Sequence, residues 1–295
     1  MIPQWAKRNG WTPWHLIGAV ALPVLAVLAM FRDWADIVYI AWRDDEQSHI
    51  FLVPVIVAWL VWVRRGRLTR CSPTSGWLGA LMVAAGFAAN WYGLVEVHDG
   101  LRHGGAVLLL AGAFIAVAGQ EVLYRMLPAF LVLAFLIPVP GVVRQSIALP
   151  LQTGTAYLTQ HILLLFDVDV IRSNNLLVVN GEAITIAEAC NGMRMVFALF
   201  LVSFGFAYGT ALRPYVRIVV VALSPLTALL CNVIRTVATA WVYGLELSDD
   251  AKMNFHDYTG WVMLFVALLL LMGVVRVFRW ALLPVTPYPL AYEYG

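Results

Sequence analysis

An all-α polytopic membrane protein is the fold class this sequence predicts, with about eight transmembrane helices, an extracytoplasmic interfacial helix and a small β-hairpin. Three observations carry that reading. Hydrophobic residues make up 62% of the 295 residues and charged residues only 12%, and the mean hydropathy of +0.81 is far above that of soluble domains. The apolar residues fall into runs long enough to cross a bilayer, which takes about 20 residues. The basic residues then sort to one side of the resulting map.

The first run, Trp11–Phe31, follows Lys7 and Arg8. Its charge order resembles a signal peptide, but the run is long enough to span and no small-residue cleavage site follows. It reads as an uncleaved first helix. Further spans are expected over His49–Val63, Gly76–Val95, Gly104–Gly119, Val122–Ile137, Cys190–Tyr208, Val216–Tyr243 and Tyr258–Val277. The segment Val142–Phe166 is interrupted by Gln145, Pro150, Gln152, Thr155, Thr159 and His161. Its polarity predicts an interfacial or re-entrant helix, not a span. Between Val168 and Ala187 the chain turns β-rich, with Asn174–Val179 and Ala183–Ala187 joined at Asn180-Gly181, a two-residue hairpin signal. Residues 1–283 read as one domain, and 284–295, with three prolines, as a short cytoplasmic tail.

Eight crossings with the N-terminus inside place Lys7, Arg8, Arg64, Arg65, Arg67, Arg70, Arg125, Arg213, Arg217, Arg276 and Arg279 on the cytoplasmic side. Only Glu121 and Glu293 join them there. If Val142–Phe166 crossed as well, Arg213, Arg217, Arg276 and Arg279 would invert to the outside, against the positive-inside rule. The eight-helix map therefore puts both termini in the cytoplasm. The net charge of +2 says little about partners, and no basic patch with interleaved aromatics points to nucleic acid.

That map brings three costly residues to the extracytoplasmic face. Cys190 heads a helix within Glu188-Ala189-Cys190-Asn191-Gly192-Met193-Arg194. A helix N-terminus and nearby positive charge both lower a thiol pKa, so Cys190 reads as a reactive thiolate. Buried cysteines are more often inert, and that reading suits Cys71 and Cys231. Arg235 stands inside a spanning run, where an arginine costs several kcal/mol unless the interior is polar. Asn232 lies one turn before it. His256 precedes the last span, and His49 holds an equivalent outer boundary. Arg194 serves equally well as an interfacial snorkelling residue. The other histidines have no comparable company, and neither HxH, HxxxH nor CxxC spacing suggests a metal site or disulfide framework. No cofactor is expected.

A thiolate, a histidine and a fixed cation form a set for nucleophilic acyl transfer. Cys190 would attack a peptide carbonyl, His256 would act as general acid and base, and Arg235 would stabilise the thiolate or the oxyanion. Glu188, Arg194, Asn232 and His49 are supporting candidates.

The stretches Glu188–Arg194, Asn232-Val233-Ile234-Arg235 and His256, with Ser48-His49-Ile50-Phe51 and Ile137-Pro138-Val139-Pro140, resemble the exosortase/archaeosortase family in residue type, order and placement. The resemblance implies a transpeptidase of the Gram-negative inner membrane, tied to exopolysaccharide export. Its substrates would be exported proteins that end in a Pro-Glu-Pro-type motif, a transmembrane helix and a basic cluster. An amine or other acceptor would take the product. It also implies Cys190 as nucleophile, with Arg235 and His256 completing the set. Ile50 departs from the glycine common in that stretch, and Asn191 from the usual serine or alanine, which leaves the subtype open. The competing expectations are a transporter or scaffold of polysaccharide export, and a purely hydrolytic cysteine protease.

Overall fold

A computed structural model of the chain describes residues 10–74, 76–179, 181–185, 192–243 and 249–281. The helices are α1 (Pro13–Ala29), α2 (Phe31–Arg43), α3 (Leu52–Val63), α4 (Arg65–Leu68), α5 (Trp77–Val95), α6 (Asp99–Ala118), α7 (Gln120–Arg125), α8 (Leu127–Leu133), α9 (Gly141–Leu165), α10 (Gly192–Gly209), α11 (Pro214–Tyr243) and α12 (Asp249–Trp280). Short 3₁₀ turns cover Asp45–Phe51 and Ala134–Leu136, and three strands, β1 (Val170–Ser173), β2 (Leu176–Val179) and β3 (Glu182–Thr185), stand between α9 and α10.

Among the described residues, four helices are long and apolar enough to cross a membrane: Asp45–Val63, Trp77–Val95, Asp99–Ala118 and Pro214–Val242. The count rises to six if α1 with α2, and Leu127–Leu136 with α9, each count as one span. Two shorter apolar stretches, Met193–Gly209 and Phe265–Phe278, fall where the sequence also predicts crossings. Length and composition thus bear out a polytopic helical membrane protein.

Two details depart from expectation. The predicted first span, Trp11–Phe31, does not end in a loop: α2 follows at once, bent by 78° from α1. The predicted helix Val122–Ile137 is broken into α7, α8 and a 3₁₀ turn, with Pro128 at the start of α8. Proline fits the first helical turn, where its missing N–H costs nothing.

The chain falls into two compact units, Met1–Pro140 with Tyr208–Ala211 and the last residues, and Gly141–Ala207 with Leu212–Pro287. In the first unit α5 and α6 pack backbone to backbone. Gly79, Gly86 and Gly93 recur at heptad spacing on α5, and each sits against the α6 main chain. A Cβ on Gly86 would lie 2.6 Å from the Leu109 nitrogen, and one on Gly105 would lie 2.5 Å from the Asn90 nitrogen. In lipid, where no hydrophobic force gathers helices, such close approach maximises dispersion contact. Gly119 ends α6 at φ 89°, with Thr74 filling the space a side chain would need.

The second unit packs α9, α11 and the sheet around Ala156, Leu163, Val170, Leu177, Val179 and Ala240. The sheet is antiparallel in the order β1-β2-β3. Val179 pairs with Glu182 across Asn180-Gly181, and Gly181 has φ 88°, as a mirror-image turn requires. The predicted hairpin is therefore present. The sequence reading missed β1, whose Ser173 pairs with Leu176 across a second two-residue turn, Asn174-Asn175, with Asn174 at φ 55°. Asparagine tolerates that left-handed region through local hydrogen bonding. The predicted interfacial segment is one continuous helix, α9, despite Pro150.

Inside α11, Pro225 cannot donate to the carbonyl of Val221. The Ser224 hydroxyl donates to that same carbonyl at 2.7 Å. This local repair lets a proline sit mid-helix in an apolar setting.

The glycine seam makes a prediction. Gly86→Ala should force α5 and α6 apart and lower stability by about 1–3 kcal/mol, measured as a lower thermal midpoint of the detergent-solubilised full chain. Gly141→Ala, where a Cβ meets nothing within 4 Å, should leave the midpoint nearly unchanged.

Candidate functional site

Cys190 and Glu188 lie outside the described residues, between β3 and α10. The remaining second-unit candidates follow from the helices. Arg194 is the third residue of α10 and is half-buried. Asn232 is buried on α11, and its side-chain amide donates to the Thr155 hydroxyl of α9 at 3.2 Å. Its carbonyl accepts from the Thr236 hydroxyl at 2.8 Å. Arg235 is half-buried one turn further along. His256 belongs to the first turns of α12, with its side chain outside the described set.

One apolar cluster joins the three helices: Met195 and Leu199 of α10, Ala228 and Cys231 of α11, and Ala267 of α12. Val196, Met263 and Val266 pack around it. Positions 228, 231 and 235 share one stripe of α11 by i, i+3 and i+7 spacing, and positions 256, 263 and 267 share one stripe of α12. At 1.5 Å per residue, Arg235 stands about 6 Å from Cys231 along the axis, and position 256 about 10 Å from Met263. Arg235 thus lies one turn beyond the cluster along α11, and position 256 about two turns beyond it along α12.

His49 belongs to the first unit. It is buried in the 3₁₀ turn, with Nδ1 3.1 Å from the Glu46 carbonyl. Next to it, the Gln47 amide donates to the Val139 carbonyl at 3.0 Å and accepts from the Val139 N–H at 3.2 Å. That two-way bond imitates a strand pair. It clamps Ile137-Pro138-Val139-Pro140 to the turn that carries His49. No sequence rule marks a single glutamine as such a clamp.

A charged cluster in the first unit was also missed by sequence reasoning, which gave His103 no company. Arg102 of α6 pairs with Asp36 of α2, and its Nε lies 3.3 Å from Asp33 Oδ1. Asn90 of α5 donates to Asp33 at 3.1 Å and to the Arg102 carbonyl at 2.9 Å. His103 Nε2 lies 2.9 Å from the same Asp36 oxygen. Asp33, Asn90 and His103 are all buried. The signal in the sequence was the pair of aspartates just past a spanning run, which nothing soluble would require. Among the described residues no group of three or more His, Cys, Asp or Glu side chains is placed to hold a metal ion; here Arg102 occupies the centre.

Arg102→Met should strand a buried carboxylate and cost about 3–5 kcal/mol. Asp33→Asn in the same chain should recover part of that loss, because it removes the charge left without its cation. Thermal unfolding of wild type, single and double variants in detergent checks both statements.

No curated protein and no solved structure matches the chain. Residues 41–273 match the family model described as transmembrane exosortase. The match covers well over half of the sequence and takes in every stretch on which the resemblance rests, so the chain belongs to the transmembrane exosortase family.

Proposed function

We propose that the protein is a membrane cysteine transpeptidase that removes a C-terminal sorting tail from exported proteins. The observation that carries this reading is the family match over residues 41–273, which takes in Cys190, Arg235 and His256. The apolar cluster shared by α10, α11 and α12 supports it, because it packs together the helices that carry Arg194, Arg235 and position 256.

The Cys190 thiolate attacks the scissile carbonyl, forming a carbon–sulfur bond and moving the π pair onto oxygen. Arg235 stays protonated and offsets that negative charge, most effectively where water is scarce. Collapse breaks the carbon–nitrogen bond, and the departing amine takes a proton from the His256 imidazolium. The thioester is then opened by an acceptor amine, which gives transfer, or by water, which gives hydrolysis. Substrates on this reading carry a Pro-Glu-Pro-type motif, an apolar helix and a basic cluster. The chemistry faces the extracytoplasmic side of the inner membrane, with eight crossings and both termini cytoplasmic. That topology rests on the distribution of basic residues.

Of the other two cysteines, Cys231 is fully buried in the apolar cluster. Cys71 is buried in a loop beside α4, where burial first and the Glu121 carboxylate second push its thiol pKa up. A raised pKa means less thiolate at neutral pH, so Cys71 reacts slowly until the solution is well above its ordinary range.

Three outcomes are expected. Alkylation of the full chain in membranes at pH 7 should be lost in Cys190→Ala and kept in Cys71→Ala and Cys231→Ala. Cys190→Ala should also lower release of the tail from a co-expressed substrate by about a thousandfold or more, with the protein still in the membrane. Arg235→Ala should cost about 10²–10³-fold. Tail release that survives in Cys190→Ala would overturn this reading, and loss of polysaccharide export in Arg235→Ala but not in Cys190→Ala would favour anion transport or scaffolding instead. Product mass separates transfer from hydrolysis, since only hydrolysis leaves a free carboxylate.

A further inference from the structure

Helix α2 has its polarity reversed relative to a surface helix of a soluble protein. Its inward stripe carries Asp33, Ile37 and Ala41, all buried, with Asp36 beside them on Arg102 and His103. Its outward stripe carries Phe31, Ala35, Val38, Tyr39 and Trp42. Trp42 is 79% exposed and Tyr39 59% exposed. Large aromatic groups turned outward, while two carboxylates turn inward, make no sense against water. They do make sense against lipid.

The placement of α2 says which part of the lipid. Helix α1 rises about 25 Å, close to the thickness of a hydrocarbon core. The 78° bend at Met30 then turns α2 nearly across that direction. If α1 crosses the bilayer, a helix so turned at its end runs along the membrane plane. Tyrosine and tryptophan concentrate at the headgroup level, where one end of the ring is dry and the other wet. Trp42 meets Phe51 edge to face at 6.3 Å, which extends the apolar stripe. Arg32 and Arg43 are exposed near the two ends of α2, and the Arg43 guanidinium sits 5.7 Å from the Tyr39 ring centre. Cations there suit a plane of lipid phosphates.

We propose that α2 is an interfacial helix whose Phe31–Ala35–Val38–Tyr39–Trp42 stripe binds the headgroup–acyl boundary of the leaflet in which α1 ends. The charges of Asp33 and Asp36 are held inward by Arg102, and this frees the opposite face for lipid. The proposal is independent of the enzymatic reading and of which leaflet is external.

The test uses the full chain in liposomes of phosphatidylethanolamine and phosphatidylglycerol. A ketone-bearing residue for spin labelling, which leaves the three cysteines untouched, is placed singly at Val38, Tyr39 or Trp42. The exposed Asp45 serves as a reference outside the stripe. Collision with oxygen, which partitions into lipid, is compared with collision with a water-soluble nickel chelate. Labels at 38, 39 and 42 should favour oxygen several-fold, and the label at 45 should favour nickel. Nickel-favoured collisions along the stripe would mean that it faces water and would overturn the proposal. Low collision with both reagents would mean that protein covers the stripe, a second copy of the chain included, and would overturn it equally. Agreement of two of the three stripe positions decides the result, so one label that disturbs folding does not.

Discussion

A polar group in hydrocarbon has no water to turn to, so its partner must be built into the protein. The rest of this architecture follows from that constraint. It accounts for the Ser224 hydroxyl on the carbonyl that Pro225 leaves open, where α11 would otherwise carry an unpaired acceptor in its middle. It accounts for Asn90, which spends its amide on Asp33 and on the Arg102 carbonyl. It also accounts for the Gln47 clamp, which satisfies both polar groups of Val139 in a stretch where flanking prolines forbid regular pairing. Each repair is local, yet each fixes a longer element: α11 stays one helix, α2 stays on α6, and the Ile137–Pro140 stretch stays on its turn.

Close packing does what the hydrophobic effect cannot do among lipid tails. The heptad glycines of α5 bring its backbone onto α6, and the resulting pair becomes a rigid wall. Arg102 and His103 project from that wall toward α2, where they meet Asp36. The ion cluster therefore depends on the glycine seam: a wider gap between α5 and α6 would move Arg102 away from Asn90 and unsatisfy the group at the centre of the network. Steric and electrostatic terms are coupled here, and neither alone explains why α2 turns its aspartates inward.

Much of this was legible in the sequence, and the reasons for the rest are physical. Helix positions were readable because apolar length is a strong signal; α5, α6 and α11 lie within a few residues of expectation. The Asn180-Gly181 hairpin was readable because few residue pairs accept that backbone. The bend after α1 was not, since Met30 is neither proline nor glycine and the pairs that Asp33 and Asp36 make with Arg102 join residues far apart in sequence. Strand β1 was missed because an Asn-Asn turn is a weaker mark than Asn-Gly. Of the candidate residues, Arg235 and Asn232 drew notice by their cost in an apolar run. Asn232 then proved tied to Thr155, a threonine that looked like an interruption of α9 and is instead its polar contact with α11. Gln47 and His103 gave no advance sign, because their roles depend on residues about 90 and 67 positions away.

On the proposed mechanism, Arg235 and His256 have different duties. Arg235 lies one turn from Cys231, whose surroundings are apolar and closed. On that mechanism a fixed cation suits the place, since its attraction for a developing oxyanion grows as water is excluded and its own proton is never lost. Position 256 lies about two turns before Met263, within the opening turns of α12 and nearer the helix end. A group that must give up and regain a proton each turnover needs access to water, and a helix end offers that where its middle does not. On the proposed mechanism, an arginine could not replace the histidine at position 256, because it would not release a proton to the leaving amine.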